Sequence, residues 1–299
     1  MTEAAASRPG AVAILDHGPL RAGLGRLLAH RPAVAALALL AAMALITTLA
    51  PQLLPYEYDE QDFQLIGQPG GMTAAHWLGT DQLGRDALTR LVHGGRISLS
   101  VGLASALIAT LLGTLVGAVS GFYRGLADTA LMRATDVMLS IPLLPLVLLI
   151  SGLLRPNVPL LIGLIGALTW MSTARLVRGQ FLALREREFV EAARALGARG
   201  SRLILRHILP NAVGPITVSA TLAVGRSIML ESAMSFFGFG VQQPTPTWGN
   251  LLNTASPWLG LAPWLAVAPG LCIFATVLAV NFLGDGLRDA VEPRSRKSA

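Results

Sequence analysis

Two ionisable residues, Arg226 and Glu231, interrupt an otherwise uncharged apolar run over residues 212–237. At the 1.5 Å rise of an α-helix, Arg226 would lie roughly 21 Å from Ala212, deep within a bilayer. Because a charged side chain is costly in lipid, we expect both residues to face protein or water. They are candidates for a translocation path, since an intramembrane charge often marks one, or for a structural pair with a neighbouring helix or subunit.

A second charged feature is the segment EFVEAARALGARGSRLILRHILPNA, at residues 188–212 between long apolar runs. Its first part is rich in strong helix formers, and Glu191 lies in the first turn, where its charge suits the helix dipole. Ala192 and Ala193 leave a low-profile surface beside it. Gly197 permits a turn that would end this helix.

The second part of the segment predicts another short helix, from Ser201 to about Ile208, with Ser201 as its N-cap. Pro210 then fixes the start of the next apolar run. A pair of short helices with a small-residue face suits insertion into a groove on a soluble partner. A solvated basic loop that only fixes membrane topology explains the same residues. The residues alone leave both functions open.

The sequence lacks the patterns of catalytic and metal-binding sites. Lys297 is the only lysine, so the phosphate-binding loop G-x-x-x-x-G-K-[ST] is absent, and any nucleotide hydrolysis would be supplied by another polypeptide. The histidines are scattered without metal-ligand spacing, and no G-x-S-x-G nucleophile motif occurs. The single cysteine, Cys272, excludes an intrachain disulfide. We predict no catalytic residue, no metal site and no cofactor bound by this chain.

The composition is that of an integral membrane protein, because 53% of the 299 residues are hydrophobic and only 13% are charged. A membrane-spanning helix needs about 20 mainly apolar residues. Runs near this length or longer occur at residues 33–50, 97–123, 137–154, 158–174, 212–237 and 250–283. The first run begins too far from residue 1 for a short basic leader, which indicates a retained helix. We predict an all-α fold with six transmembrane helices.

The arginines predict the orientation of these helices. They concentrate in the N-terminal tail, in the segment after the fourth run and in the C-terminal tail, which six spans place on one side of the membrane. The positive-inside rule makes that side cytoplasmic. The opposite side fits, since residues 51–75 contain acidic residues but no Arg or Lys. The net charge of +6 therefore reflects topology in a multi-pass protein of the cell membrane, and we expect no nucleic-acid partner.

These features predict four regions. They are a cytoplasmic tail (1–32), a first helix with an external segment (33–95), a five-helix domain (96–285) with an inner loop at 175–211, and a second cytoplasmic tail (286–299). In the external segment, apolar residues at helical spacing predict an amphipathic helix on the membrane surface. These residues are Leu83, Ala87, Leu88, Leu91 and Val92, with Arg85, Asp86 and Arg90 expected to point away from them.

Glycines and prolines in the spans predict how the helices pack. Gly113, Gly117 and Gly121 form overlapping G-x-x-x-G repeats, which let another helix backbone approach closely. Pro142 and Pro145 lack backbone donors and are expected to kink the third span. With only short turns between these spans, we expect a compact bundle.

The sequence EAARALG, followed by Pro210, resembles the EAA motif in the membrane subunits of binding-protein-dependent ABC importers. In that family the loop forms a coupling helix docked on the ATPase subunit, and the fold is the type I transmembrane domain. The resemblance implies ATPase-docking roles for Glu191, Ala192, Ala193, Leu196, Gly197, Leu209 and Pro210. The family pattern usually has Ile three residues before the proline, whereas this chain has His207 there and then Ile208.

Longer segments extend the resemblance over most of the chain. HWLGTDQLGRDALTRLVHGGRISL, GFYRGLADTALMRATDVMLSIP, ESAMSFFGFGVQQPTPTWGNLL and NFLGDGLRDAVEP look like parts of the second permease subunit in the dipeptide, oligopeptide and nickel permease group. This implies a peptide permease that pairs with a homologous permease, two ATPase subunits carrying ATP and Mg, and an extracytoplasmic substrate-binding protein. Alternatives are import of nickel, glutathione or oligosaccharide, or a non-transport subunit of a membrane enzyme or insertion complex.

Overall fold

The computed structural model describes residues 25–291, so most of the first predicted tail and the end of the second lie outside the described residues. Within this range the chain is helical, and the β-structure is limited to isolated bridges. The α-helices are α1 (Arg31–Leu49), α2 (Ala87–Tyr123), α3 (Gly125–Ser140), α4 (Leu143–Leu154), α5 (Val158–Ala167), α6 (Met171–Arg185), α7 (Glu188–Ala195), α8 (Gly200–Phe236), α9 (Trp248–Ala255) and α10 (Trp264–Val291). The predicted all-α fold is confirmed.

The helices provide up to six membrane spans. Within the described range, α1 with its 3-10 extension, α2, α8 and α10 are each long and apolar enough to cross a membrane. The pair α3–α4 bends by 84° and the pair α5–α6 by 44°, and each pair together meets the same length and hydropathy criteria. The α3–α4 break falls at Ile141 and Pro142, as expected where proline removes a backbone donor. Counting each bent pair as one span gives the predicted number.

The amphipathic spacing at residues 83–92 marks the start of α2, so no separate surface helix forms there. The Asp86 carboxylate caps α2 by accepting a hydrogen bond from the Thr89 backbone N–H, and the helix runs unbroken to Tyr123. Arg85, Asp86 and Arg90 are buried although they lie away from the apolar face. The reason is that preceding and distant loops fold over these side chains. The loops accept hydrogen bonds from Arg85 and Arg90, and His76 Nδ1 lies 2.9 Å from the Asp86 carboxylate.

The last span begins later than its apolar run. Residues 250–263 form most of α9, a 3-10 turn and a loop, and the spanning helix starts only at Trp264. A capping box fixes α9, because the Thr247 hydroxyl accepts from the Asn250 N–H while the Asn250 side chain accepts from the Thr247 N–H. Hydropathy alone missed this break since the intervening residues carry no charge.

Helix α2 lies at the centre of the bundle and packs against α1, α5, α6 and α8, while α10 packs against α1 and α8. Two apolar clusters fill the spaces between these helices. The first contains Val101, Val147, Leu161, Ile165, Leu168, Met234 and Val241. The second contains Ala118, Val177, Phe181, Val190, Leu203, Ile208 and Ala212, and it reaches α7.

Three glycines of α2 face α6 at very short range. A Cβ added at Gly117 would lie 2.5 Å from the Ala174 carbonyl oxygen, and one at Gly121 would lie 2.7 Å from the Phe181 Cβ. A Cβ added at Gly113 would lie 2.7 Å from the Trp170 carbonyl oxygen. The two backbones therefore approach so closely that any residue larger than glycine would push α6 away.

Candidate functional site

Helix α7 (Glu188–Ala195) is short and has one buried side. Val190 is fully buried, whereas Glu191 and Ala192 are exposed and Ala193 is half-buried. Glu191 lies in the first turn, where its negative charge stabilises the helix dipole. The helix is thus anchored through one face and presents small and acidic residues on the other.

The turn after α7 exposes Leu196, whose side chain is 89% accessible. It is a Schellman turn, in which the Gly197 N–H donates to the Arg194 carbonyl at 2.9 Å and the Ala198 N–H donates to the Ala193 carbonyl at 3.1 Å. Gly197 has a φ of +81°, and no atom lies within 4 Å of an added Cβ. Glycine is therefore required by the backbone conformation and not by lack of space.

The segment after this turn differs from the predicted second short helix. Helix α8 begins at Gly200 with Arg199 as its N-cap, so Ser201 is not the cap, and it continues to Phe236. Leu203–Ile208 forms a π-helical turn immediately before Pro210. The wider turn accommodates a proline that lacks an N–H, which is why the helix continues where a break was expected.

The remaining motif positions lie in and after this π turn. His207, at the position where the family pattern has Ile, is half-buried, and Ile208 is fully buried. Leu209 is half-buried and Pro210 is exposed. Helix α7 packs on the π turn, so the positions predicted for docking belong to one local unit.

An apolar cluster ties this unit to the membrane helices. Val190 of α7 packs in the same buried cluster as Phe181 of α6 and Ile208 of α8, and Ala118 of α2 belongs to it as well. All four side chains are less than a tenth exposed. A force applied to α7 would consequently reach α6 and α8 directly, and α2 through the same cluster.

Polar contacts join α6 to the corner between α2 and α3. Arg178 donates to both carboxylate oxygens of Asp128, at 2.6 and 2.7 Å, and the Ser120 hydroxyl donates to the same carboxylate. Arg185 donates to the Phe122 carbonyl at 2.5 Å. Sequence reasoning missed this group because its members are far apart in the chain and form no motif.

Glu231 lies in a buried hydrogen-bonded group. It is fully buried and accepts hydrogen bonds from the Ser98 hydroxyl at 3.0 Å and the Ser235 hydroxyl at 2.8 Å. The Ser98 hydroxyl oxygen in turn accepts a hydrogen bond from the Trp248 backbone N–H at 3.2 Å. The carboxylate thereby joins α8 to α2 and α9. It forms no ion pair with Arg226 or with any other described residue.

Arg226 is exposed on α8, where two open cavities meet. The first, the Asn281 cavity, has a volume of about 640 Å³, and its polar lining residues are Ser172, Gln180, Ser219, Arg226, Asn281 and Arg288. The second, the Pro142 cavity, has a volume of about 580 Å³ and is lined mainly by apolar residues of α3, α4, α6 and α8 and of the turns beside them. Arg226 and Ser172 line both cavities, so the two form one groove, here called the Arg226 groove.

A buried arginine holds the N-terminal end of α2. Arg90 is fully buried and donates to the Tyr58 carbonyl at 2.8 Å and to the Pro244 carbonyl at 3.3 Å. Asp81 lies 3.4 Å from its Nε and pairs with Arg85 at 2.7 Å. These contacts fasten two separate loops to α2. Helical periodicity could not show this, because periodicity treats a charged residue as solvent-facing.

Within residues 25–291, no group of His, Cys, Asp and Glu side chains is arranged to hold a metal ion. Two features of the described chain are candidates for a functional site: the exposed, anchored helix α7, and the groove along α8 that contains Arg226.

Comparisons with known proteins identify the family. A family model described as "Binding-protein-dependent transport system inner membrane component" matches residues 109–297. A second, described as "N-terminal TM domain of oligopeptide transport permease C", matches residues 18–69.

Curated relatives cover nearly the whole chain. It is 42% identical to the oligopeptide transport system permease protein OppC of Escherichia coli K12, over 91% of this chain and 90% of the relative. It is 37% identical to OppC of Mycobacterium tuberculosis, over 91% of this chain and 93% of the relative. It is 38% identical to the glutathione transport system permease protein GsiD of Pectobacterium atrosepticum, over 92% and 91%.

These matches agree with the all-helical fold and its candidate membrane spans. The fold is that of the type I transmembrane domain of ABC importers, and the family consists of transporter components and not of enzymes. The chain belongs to the binding-protein-dependent transport system inner membrane components.

Proposed function

We propose that this chain is a permease subunit of an ATP-driven importer of short peptides. It forms part of the translocation path and is moved by separate ATPase subunits, which carry the ATP and Mg. The observation that carries this proposal is the geometry of α7, an exposed helix whose buried side, through Val190, packs into the membrane bundle. The peptide substrate is supported by relatives named oligopeptide permeases.

The surface of the α7 unit suits docking on a soluble protein. Large apolar side chains are exposed on this charged segment, with Leu196 at 89%, Leu205 at 65% and Phe189 at 41%. Exposed apolar side chains that are rimmed by charges are typical of protein–protein contacts. Ala192 keeps the profile low between them. We therefore assign the α7 unit as the coupling helix that inserts into a groove on an ATPase subunit.

The bundle transmits the resulting movement. When the ATPase subunits close on ATP, each would displace its coupling helix, and the apolar cluster around Phe181 and Ile208 would pass that displacement to α6 and α8. The Asp128–Arg178 contact would carry α3 along with α6. These helices line the Arg226 groove, so its shape would change with the nucleotide state.

The arginine distribution sets the orientation in this proposal. The α7 unit and both chain tails are cytoplasmic, and the Arg90-fastened loops lie on the opposite side, where a substrate-binding protein delivers peptide. The groove carries a charged side chain along a membrane helix, so it cannot face lipid without a large cost. A homologous second permease would cover it and complete the path.

Reconstitution tests this function. The chain would be expressed with its candidate partner permease and ATPase subunits, purified in mild detergent, and placed in proteoliposomes with the binding protein outside. ATP-dependent accumulation of a labelled short peptide, abolished by omitting the binding protein, is the expected result. Failure to recover ATPase subunits together with the chain, or accumulation that is independent of ATP, would contradict the proposal.

The relative named as a glutathione permease makes glutathione the second candidate substrate. Unlabelled glutathione in excess should not reduce peptide accumulation if peptides are the substrate, and should abolish it if glutathione uses the same path and the same binding protein. Nickel and oligosaccharide uptake are checked with the same vesicles. A chain that serves as a non-transport subunit would support none of these uptakes.

A further inference from the structure

We infer that Arg226 receives the free main-chain carboxylate of a peptide as it passes along the Arg226 groove. This inference rests on the proposed function and adds the chemical group by which the membrane path itself recognises its cargo. It concerns a site on this chain, separate from the site on the binding protein that first captures the substrate.

The first argument is charge. Arg226 lies roughly 15 Å from the Phe236 end of α8 at 1.5 Å per residue, well inside a candidate span. It is exposed to the groove and makes no hydrogen bond or ion pair with any described residue. No Asp or Glu of the described chain lines either cavity. The groove is thus electropositive, and an anion that enters it meets a guanidinium that is free to bind it.

The second argument is geometry. A guanidinium presents paired N–H donors that match the two oxygens of a carboxylate, and such bidentate contacts are strong and directional. Because Arg226 lines both cavities, a carboxylate bound there would leave the rest of the peptide room on either side. The cavities, of about 640 and 580 Å³, are each within the size range of sites for small molecules.

The third argument is the chemistry of the two cavities. The Asn281 cavity offers amide and hydroxyl groups from Ser172, Gln180 and Asn281, which can bond a peptide main chain of any sequence. The Asn281 amide nitrogen already donates to the Val277 carbonyl at 2.8 Å, which leaves its oxygen to accept from a peptide N–H. The Pro142 cavity offers flexible apolar side chains such as Met138, which adapt to different side chains. A fixed carboxylate contact with adaptable surroundings suits peptides of varied sequence.

The competing occupant of Arg226 is an acidic side chain of the homologous permease, which would make the arginine a structural residue. The two cases differ in their dependence on cargo. If Arg226 binds the cargo, its loss slows only peptides that carry a free carboxylate. If it binds the other permease, its loss slows every peptide to the same extent.

The experiment uses the complete importer in proteoliposomes and a pair of peptides of one sequence, one with a free C-terminal carboxylate and one with a C-terminal amide. Each is supplied on binding protein that is saturated with that peptide, so that capture does not limit the rate. The wild-type importer should accumulate the carboxylate form several-fold faster. Arg226→Gln should reduce this ratio severalfold, to near one, by slowing the carboxylate form alone.

A matched control is Arg133→Gln, which removes an exposed arginine of α3 that lines neither cavity. It should leave the ratio at the wild-type value. Arg226→Lys keeps the charge without the paired donors and should give an intermediate ratio. Co-purification of all subunits shows that each variant assembles.

The possible results distinguish failure of the carboxylate assignment from failure of the proposed import function. Equal rates for the two peptides in the wild-type importer, or an unchanged ratio in Arg226→Gln, would overturn the carboxylate assignment while peptide import stands. Equal slowing of both peptides in Arg226→Gln would also overturn it and assign Arg226 to subunit contact. Absence of any ATP-dependent peptide uptake by the wild-type importer would instead overturn the proposed function. Equal wild-type rates overturn the assignment even if the substituted chains fail to assemble.

Discussion

The Arg178 guanidinium on α6 donates hydrogen bonds to both carboxylate oxygens of Asp128 on α3, at 2.6 and 2.7 Å. The contact is only partly exposed, with the Asp128 side chain 17% and the Arg178 side chain 34% accessible. It links the helix that leads into α7 to the first half of the bent α3–α4 pair. The ion pair therefore lies where motion of α7 would be shared with the wall of the Arg226 groove.

Asp128→Asn should lower the amount of peptide imported per ATP hydrolysed about two- to fivefold, because the amide cannot hold the guanidinium through two charged contacts. The ratio of labelled peptide uptake to phosphate release in proteoliposomes measures this. Asp136→Asn is the matched control. It breaks the Arg175 ion pair, in which both side chains are about half exposed, and such pairs contribute little. Equal ratios for the two variants would refute the role of Asp128.

Gly197→Leu should uncouple ATP hydrolysis from uptake while membrane insertion stays intact. A non-glycine residue at a φ of +81° costs about 1 kcal/mol or more, and relieving that strain would rotate Leu196 away from its partner. Uptake and ATPase activity are compared with those of Gly179→Ala, a glycine inside α6 with no atom within 4 Å of an added Cβ. Normal uptake by the Gly197 variant would count against the docking assignment.

Glu191→Lys should weaken association with the ATPase subunits and abolish most uptake, since it reverses a charge on the exposed side of α7. Glu188→Lys is the matched control, because both residues lie in the first turn and both reversals oppose the helix dipole by a similar amount. Retention of the ATPase subunits during purification at increasing salt measures the difference. If both variants lose the subunits equally, the effect belongs to the helix and not to a contact of Glu191.

Gly117→Ala should destabilise the bundle by about 1–3 kcal/mol, because the new methyl would lie 2.5 Å from the Ala174 carbonyl oxygen and would force α2 and α6 apart. Gly163→Ala in α5 meets no atom within 4 Å and should be neutral or slightly stabilising through its higher helix propensity. Thermal unfolding of the purified protein in detergent compares the two. Equal melting temperatures would show that the α2–α6 contact tolerates separation.

Much of the fold could be predicted from the lengths of the apolar runs and from the positions of prolines. Run length predicted the spans, and the position of Pro142 predicted the sharp bend of the third. The later start of the last span at Trp264 could not be predicted in this way, since the residues of α9 are as uncharged as those of a span. A capping box at Thr247 starts α9 as a separate helix, and this local signal is lost when hydropathy is averaged over a window.

The candidate site could be predicted from the sequence only in part, because some of its features depend on contacts between distant residues. Residue type and order predicted the exposed α7 and the turn at Gly197, because these depend on local propensity. They could not distinguish the roles of Glu231 and Arg226, which are close in sequence. Glu231 meets Ser98 from a distant helix and is buried, whereas Arg226 faces open cavities. Such differences arise from tertiary packing, which a single sequence does not display.

The length of helix α2 bears on how the two ends of the protein can be coupled. It runs unbroken for 37 residues, roughly 55 Å, from the loops fastened by Arg90 to the corner beside Asp128. A single rod of this kind carries information in both directions. If a loaded binding protein on one end strengthens ATPase association at the other by some factor, thermodynamic linkage requires the ATPases to strengthen binding-protein association by the same factor. Each partner would thereby sense the other without any contact between them.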